Sequence, residues 1–115
     1  MGNGQEVVLD FIEAINNGDL EGITALMSEN HVFVDHSGDE QRGREHMRKA
    51  WRHYLKNWPN YRIVVRKILK CGRDSFAVLG GRTGSHVGED VESDETVLWL
   101  ADVSDGKVTL WRKYA

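Results

Sequence analysis

His31-Val32-Phe33-Val34-Asp35-His36-Ser37-Gly38 is the stretch that decides how the chain is read. It begins as an alternating apolar run, ends with an acid beside an imidazole, and closes on a turn. In a strand, alternation puts His31, Phe33 and Asp35 on one face and Val32, Val34 and His36 on the other. A carboxylate at the end of a buried strand, beneath helices, is costly when charged, so its pKa would rise. Asp35 is then either a general base or a strand-end residue wetted by solvent. Both readings stay open at this point.

Helical spacing flanks the stretch. Upstream, Val7, Val8, Phe11, Ile12 and Ile15 mark a first amphipathic helix, with Asn3 and Glu6 spaced as a capping box and Gly18 as a left-handed stop. Asp19 can cap a short second helix whose Leu20, Ile23, Leu26 and Met27 form one stripe. Downstream, 38–43 reads as a polar loop, and a third helix runs over 44–58 until Pro59 ends it. Its stripe, Met47, Ala50, Trp51, Tyr54, Leu55 and Trp58, is wide and rich in rings, for which plain core packing is the simplest account.

Beyond Pro59 the period changes to two. Tyr61, Ile63, Val65 and Leu69 alternate with Arg62, Arg66 and Lys70 in a long strand, and 76–85 forms the next. Gly80, Gly81 and Gly84 inside that strand mark bulges or a bend in a curved sheet. Glu89, Asp90, Glu92, Asp94 and Glu95 lack calcium-loop spacing and read as a solvated hairpin tip. Strands at 96–103 and 107–114 flank Asp105-Gly106, a strong hairpin signal.

If that turn has two residues, Ser104 pairs with Lys107. Val97, Trp99, Ala101 and Val103 then share a face with Val108, Leu110, Arg112 and Tyr114. The opposite face carries Leu98, Leu100 and Asp102 with Thr109, Trp111 and Lys113. Both faces hold large apolar groups while helices can cover only one, so a homodimer through the other is expected.

The bulk properties narrow the class. The 115 residues make one domain, 1–115, with an ordinary soluble balance of 40% hydrophobic and 29% charged residues. A net charge of -3 offers no footprint for nucleic acid or an anionic membrane. No apolar run reaches the length of a membrane span, the first residues lack a signal peptide's regions, and Gly2 lacks the Ser or Thr that myristoylation needs. Cytoplasmic localisation is the expectation. Cys71, the single cysteine, beside Gly72, forms no intrachain disulfide and reads as a small core or turn residue. His46 and His53, seven apart on one helix margin, lack a third ligand, so no metal site is expected. Neither a phosphate-binding Gly-rich loop nor a Gly-x-Ser-x-Gly elbow is found in the sequence.

Three helices followed by a long antiparallel sheet predict an α+β domain, a helix-covered cone whose curved, mostly antiparallel sheet encloses a pocket. The run Ile15-Asn16-Asn17-Gly18-Asp19-Leu20-Glu21-Gly22-Ile23 resembles the helix-turn-helix opening of the nuclear transport factor 2-like superfamily, in its SnoaL-like and ketosteroid isomerase-related branch. Val32-Phe33-Val34-Asp35 with Gly38, Gly43-Arg44-Glu45, and Asp105-Gly106-Lys107-Val108 with Trp111-Arg112 fit the same pattern. The resemblance spans the chain but leaves the reaction open, because this fold hosts many activities.

Carried over position by position, the resemblance puts the isomerase branch's general base at Asp35. Its tyrosine donor falls at Phe11 and its protonated acid near Leu98, neither of which donates a hydrogen bond, so that branch's oxyanion hole is missing. SnoaL-like cyclases pair an acid with a histidine. Asp35 and His36 have that chemistry, but on opposite strand faces. The resemblance also implies no organic cofactor or metal. It implies a cavity lined by Phe11, Ile15, Trp51, Tyr54, Trp58, Leu98, Leu100 and Trp111, with Arg82 and Lys113 as polar members. Such a lining suits a flat, small hydrophobic molecule. Val97, Trp99, Leu110 and Arg112 would then form the dimer surface, with Arg112 stacked on the Trp99 indole. Three functions compete: general acid/base catalysis with Asp35 as base and Arg82 as a polarising group, non-catalytic ligand binding, and an adaptor whose exposed sheet recruits a partner.

Overall fold

The computed structural model describes residues 3–114; the expectations attached to Gly2 and to the chain end at Ala115 lie outside them. Helix α1 (Gly4–Asn16) begins where the Asn3 side chain accepts the Glu6 amide at 2.9 Å, and Gly18, at φ +63°, reverses the chain after it. The Asp19 carboxylate caps α2 (Leu20–Leu26) by accepting the Gly22 amide at 3.0 Å. Strand β1 (Met27–Val34) follows without a break, so Met27 opens a strand and does not end the helical stripe. The stretch 38–43, expected as a loop, contains a short strand, β2 (Glu40–Arg42), which pairs back on β1 with Phe33 opposite Gln41.

Helix α3 (Arg44–Asn57) stops two residues before Pro59 and buries Met47 and Trp51. Strands β3 (Arg62–Lys70) and β4 (Ser75–Thr83) come next, then a short helix α4 (Glu89–Glu92), then β5 (Val97–Ser104) and β6 (Lys107–Tyr114). The six strands form one sheet in the order β2-β1-β6-β5-β4-β3, antiparallel except for β1 beside β6. The fold is therefore α+β, a mostly antiparallel sheet with helices on one face. Phe11 of α1 meets Trp111 of β6 edge-on at 5.4 Å, and Trp99 of β5 stacks on Trp111 at 6.0 Å. Among the described residues no helix is long and apolar enough to cross a membrane.

The sheet has three register shifts, one of them in β1 against β6 between Met27 and Val32; the other two are bulges that change which expected side chains face the helices. In β3 the register slips between Val65 and Lys67, opposite Gly80. Ile68 consequently packs against the core while Leu69, expected inside, is 44% exposed. A Cβ on Gly80 would lie 1.8 Å from the Val64 carbonyl oxygen, so the crossing needs glycine there.

The second bulge follows the last hairpin. Asp105 (φ 52°) and Gly106 (φ 74°) make the two-residue turn, and Ser104 pairs with Lys107 as expected. Val103 then faces Val108, but Asp102 faces Leu110, leaving Thr109 as the extra residue. Its hydroxyl donates to the Asp102 carbonyl at 3.2 Å. A one-residue slip exchanges the faces of a strand. Val97, Trp99, Ala101 and Val103 therefore share the helix-covered face with Trp111, while Leu98 and Leu100 lie outside with Arg112 and Tyr114. The expected pairing of faces is corrected in that respect.

The acid-rich tip is also more ordered than a solvated loop. Glu92 caps the Ser85 amide at 2.7 Å, and Glu95 reaches back to Arg82. Cys71 is exposed in the β3–β4 connection.

Candidate ligand cavity

Residues 47, 50, 51 and 54 recur at helical spacing, which puts them on the face of α3 turned toward the sheet. Between that face and the sheet lies a cavity of about 300 Å³. Met47, Ala50, Trp51, His53 and Tyr54 form its helical wall; Phe33, Trp99 and Trp111 form its floor. Tyr61 closes one side, edge-on to Tyr54 at 5.1 Å. Large aromatic rings dominate this lining.

Its polar end is built from Arg82, Lys113, His86 and the two tyrosines. Arg82, at the end of β4, is buried and clasped by Glu95: Nε to Oε1 at 2.6 Å and Nη2 to Oε2 at 3.3 Å. The Tyr54 hydroxyl accepts the His86 amide at 3.3 Å and lies 2.9 Å from His86 Nδ1. Having taken one donor, the phenol can direct its own proton to Nδ1. Burial, then the Arg82 and Lys113 cations, hold the imidazole below its ordinary pKa, so it is neutral and able to accept. Burial likewise lowers the Lys113 ammonium, with Arg82 adding to the effect, and pushes the Tyr61 phenol far up.

The structure brings together five of the sequence-predicted residues: Trp51, Tyr54, Trp111, Arg82 and Lys113. Phe11 and Ile15 are fully buried in the closed core beside the cavity and do not line it. Trp58 packs on Tyr54 at 4.9 Å and on His86 at 5.7 Å, outside the lining. Leu98 and Leu100 lie on the far side of the sheet. The Thr109 bulge explains that miss, and it puts Trp99 where they were expected.

Asp35 departs most from expectation. It sits past the end of β1, outside the lining, and its Oδ1 accepts the Ser37 hydroxyl (2.6 Å), the Ser37 amide (2.9 Å) and the Asp39 amide (3.1 Å). These donors, the Ser37 hydroxyl foremost, hold its pKa below the usual aspartate value. The carboxylate organises its own turn, and the upward push of burial is outweighed by these donors. His36 is exposed beside it. His46 bonds Gln41 at 2.8 Å, and His53 only borders the cavity.

Sequence reasoning missed Trp99, Tyr61 and His86 as site residues. Tyr61 was visible as an inward-facing ring just past Pro59, a signal that supports core or cavity equally. His86 follows Gly84 in the irregular segment beyond β4 and had no local signature.

A cone of sheet covered by helices, with a ring-lined hollow between, defines the class of protein. The chain belongs to the SnoaL-like domain family, whose model matches residues 8–111, within the nuclear transport factor 2-like superfamily. Among curated proteins, none matches the sequence. Solved structures with the same fold include an uncharacterised cystatin-fold protein from Novosphingobium aromaticivorans (15% identity, TM-score 0.85, all of both chains). An LEH-like epoxide hydrolase from M. tuberculosis is also similar (18% identity, TM-score 0.75, 96% of this chain and 80% of that one). So is TerC, co-crystallised with polyporic acid (19% identity, TM-score 0.74, 96% and 88%). At these identities the likeness shows the fold alone.

Proposed function

We propose that this chain binds a small, flat, largely apolar molecule in the cavity between α3 and the sheet. The observation that carries it is the open space of about 300 Å³ left among Trp51, Tyr54, Trp99 and Trp111, the small end of ligand-site volumes. Stacked and edge-on rings fit a planar guest, and Arg82, Lys113 and Tyr54 can orient its polar end. The structural neighbours include an LEH-like epoxide hydrolase and TerC, co-crystallised with polyporic acid, which is in keeping with a small organic guest.

The test uses a neutral fluorescent probe, N-phenyl-1-naphthylamine. Saturable binding with quenching of tryptophan emission is expected; Ala50→Phe, which fills the cavity from α3, should abolish it, and Asp35→Asn should leave it unchanged. Binding that survives Ala50→Phe would place the probe elsewhere and remove the proposal.

A second reading, acid/base catalysis of the isomerase, cyclase or hydrolase type, is favoured by the Tyr54–His86 pair. A guest proton would pass to the Tyr54 oxygen as the phenol proton passes to His86 Nδ1, leaving an imidazolium to be discharged in the return step. In this reading the base is the tyrosine–histidine pair and Asp35 takes no part. Tyr54→Phe would then lower kcat of any turnover found, where Asp35→Asn would not.

We also propose that the outer sheet face meets a second copy of the chain. Leu98, Leu100 and Leu110 form its apolar patch, in place of the Val97 and Trp99 expected there, which are buried inside at 1% exposure. Arg112 lies on that face too, but stacks on Tyr114 at 4.6 Å and not on Trp99.

A further inference from the structure

Resting on the ligand-site reading, we propose that the guest is an anion: a planar molecule whose carboxylate, enolate or phenolate oxygen docks on Lys113 while its apolar body lies among the rings.

The argument starts from the charges around the hollow. Arg82 and Lys113 are the cations lining it. Glu95 grips Arg82 with both carboxylate oxygens, so that charge is already balanced. Lys113 is half-buried on the inner face, in register with Trp99 across β5, and no carboxylate lies within ion-pair distance of it among the described residues. His86 is neutral and cancels nothing. The cavity therefore carries one positive charge without a contact partner, partly removed from water, on which Glu95 and Asp35 act only from beyond ion-pair distance. Such a charge is costly until an opposite one arrives.

The hydrogen-bonding inventory has the same sign. Burial keeps the Tyr61 phenol protonated, a neutral donor. Lys113 and Tyr61 both line the cavity, so an oxygen anion meets a charged and a neutral donor there.

A box of rings alone would suit a quaternary ammonium just as well, through cation–π attraction. Lys113 reverses that preference, because it would repel a cation at close range in a medium of low dielectric.

Three probes of one shape separate the cases: 2-naphthoate, 2-naphthamide and 2-naphthyltrimethylammonium, titrated against tryptophan emission at neutral pH. Naphthoate should bind about tenfold or more tighter than naphthamide, the ratio expected of a charge-assisted hydrogen bond over a neutral one, and the ammonium weakest. Lys113→Met should erase the naphthoate advantage and leave naphthamide affinity within about twofold, since the ring box is untouched. Lys113→Gln is the second variant should Met disturb folding, with the same outcome. Equal binding of naphthoate and naphthamide would overturn the anion assignment while the ligand site stands, as would an advantage that survives both variants or tightest binding of the ammonium. If none of the three probes binds, the anion assignment falls together with the ligand site.

Discussion

At the scale of single residues, burial and hydrogen bonding decide the role of each titratable group. His31 lies on the strand that first suggested a site, yet it is fully buried, with Nδ1 donating to the Val108 carbonyl at 2.7 Å. Burial lowers its pKa from the usual 6.5, outweighing that hydrogen bond. The unfolded chain then binds the proton more readily than the folded one. The stabilisation is present above pH 6.5 and is lost as pH falls toward the lowered folded value. His31→Gln should flatten this acid-side loss in urea unfolding midpoints measured from pH 7.5 to 4.5. It should also cost about 1–3 kcal/mol at neutral pH, because the buried Val108 carbonyl loses its fitted donor. A variant with wild-type pH dependence would show that His31 does not carry this linkage. Asp35 illustrates the converse: the same residue type that reads as a raised base in a strand becomes a lowered, turn-organising acid once Ser37 and Asp39 donate to it.

At the scale of elements, the two bulges do most of the work of shaping the sheet. The β3 bulge and Gly80 are one device, since the Val64 carbonyl occupies the space a side chain would need. Gly80→Ala is expected to destabilise by about 1–3 kcal/mol, as for other overpacked sites, and to lower Tm by at least several degrees. Calorimetry showing an unchanged Tm would mean that β3 relaxes freely, and that the bulge is not pinned there. Helix and strand types were largely legible: the caps at Asn3 and Asp19, the stop before Pro59 and the Asp105-Gly106 turn each depend on a few neighbouring residues. Short β2 and α4 were not, because three- and four-residue elements carry too little periodicity to read.

At the scale of the whole molecule, the helices cover one face of the sheet and leave the other. Leu98, Leu100 and Leu110 on that outer face form a patch suited to a second copy. Analytical ultracentrifugation of the wild-type chain should give a dimer, and Leu100→Glu with Leu110→Glu a folded monomer. A wild-type monomer at high concentration would remove the proposed interface.

What the sequence determined by itself was the three long helices and the five long strands, the α+β class and the family, since caps, turns and hydrophobic period are local properties. Of the lining that the family resemblance implied, Trp51, Tyr54, Trp111, Arg82 and Lys113 border the hollow, while Phe11, Ile15, Trp58, Leu98 and Leu100 do not. Only the tertiary structure decided which face of β5 meets the helices, because one extra residue at Thr109 inverts the pairing and alternation alone cannot reveal it. Only the tertiary structure, too, joined Glu95 to Arg82 and Tyr54 to His86, pairs 13 and 32 residues apart. The charge of the cavity rests on those partners, and a partner distant in the chain leaves no mark on the residues beside it.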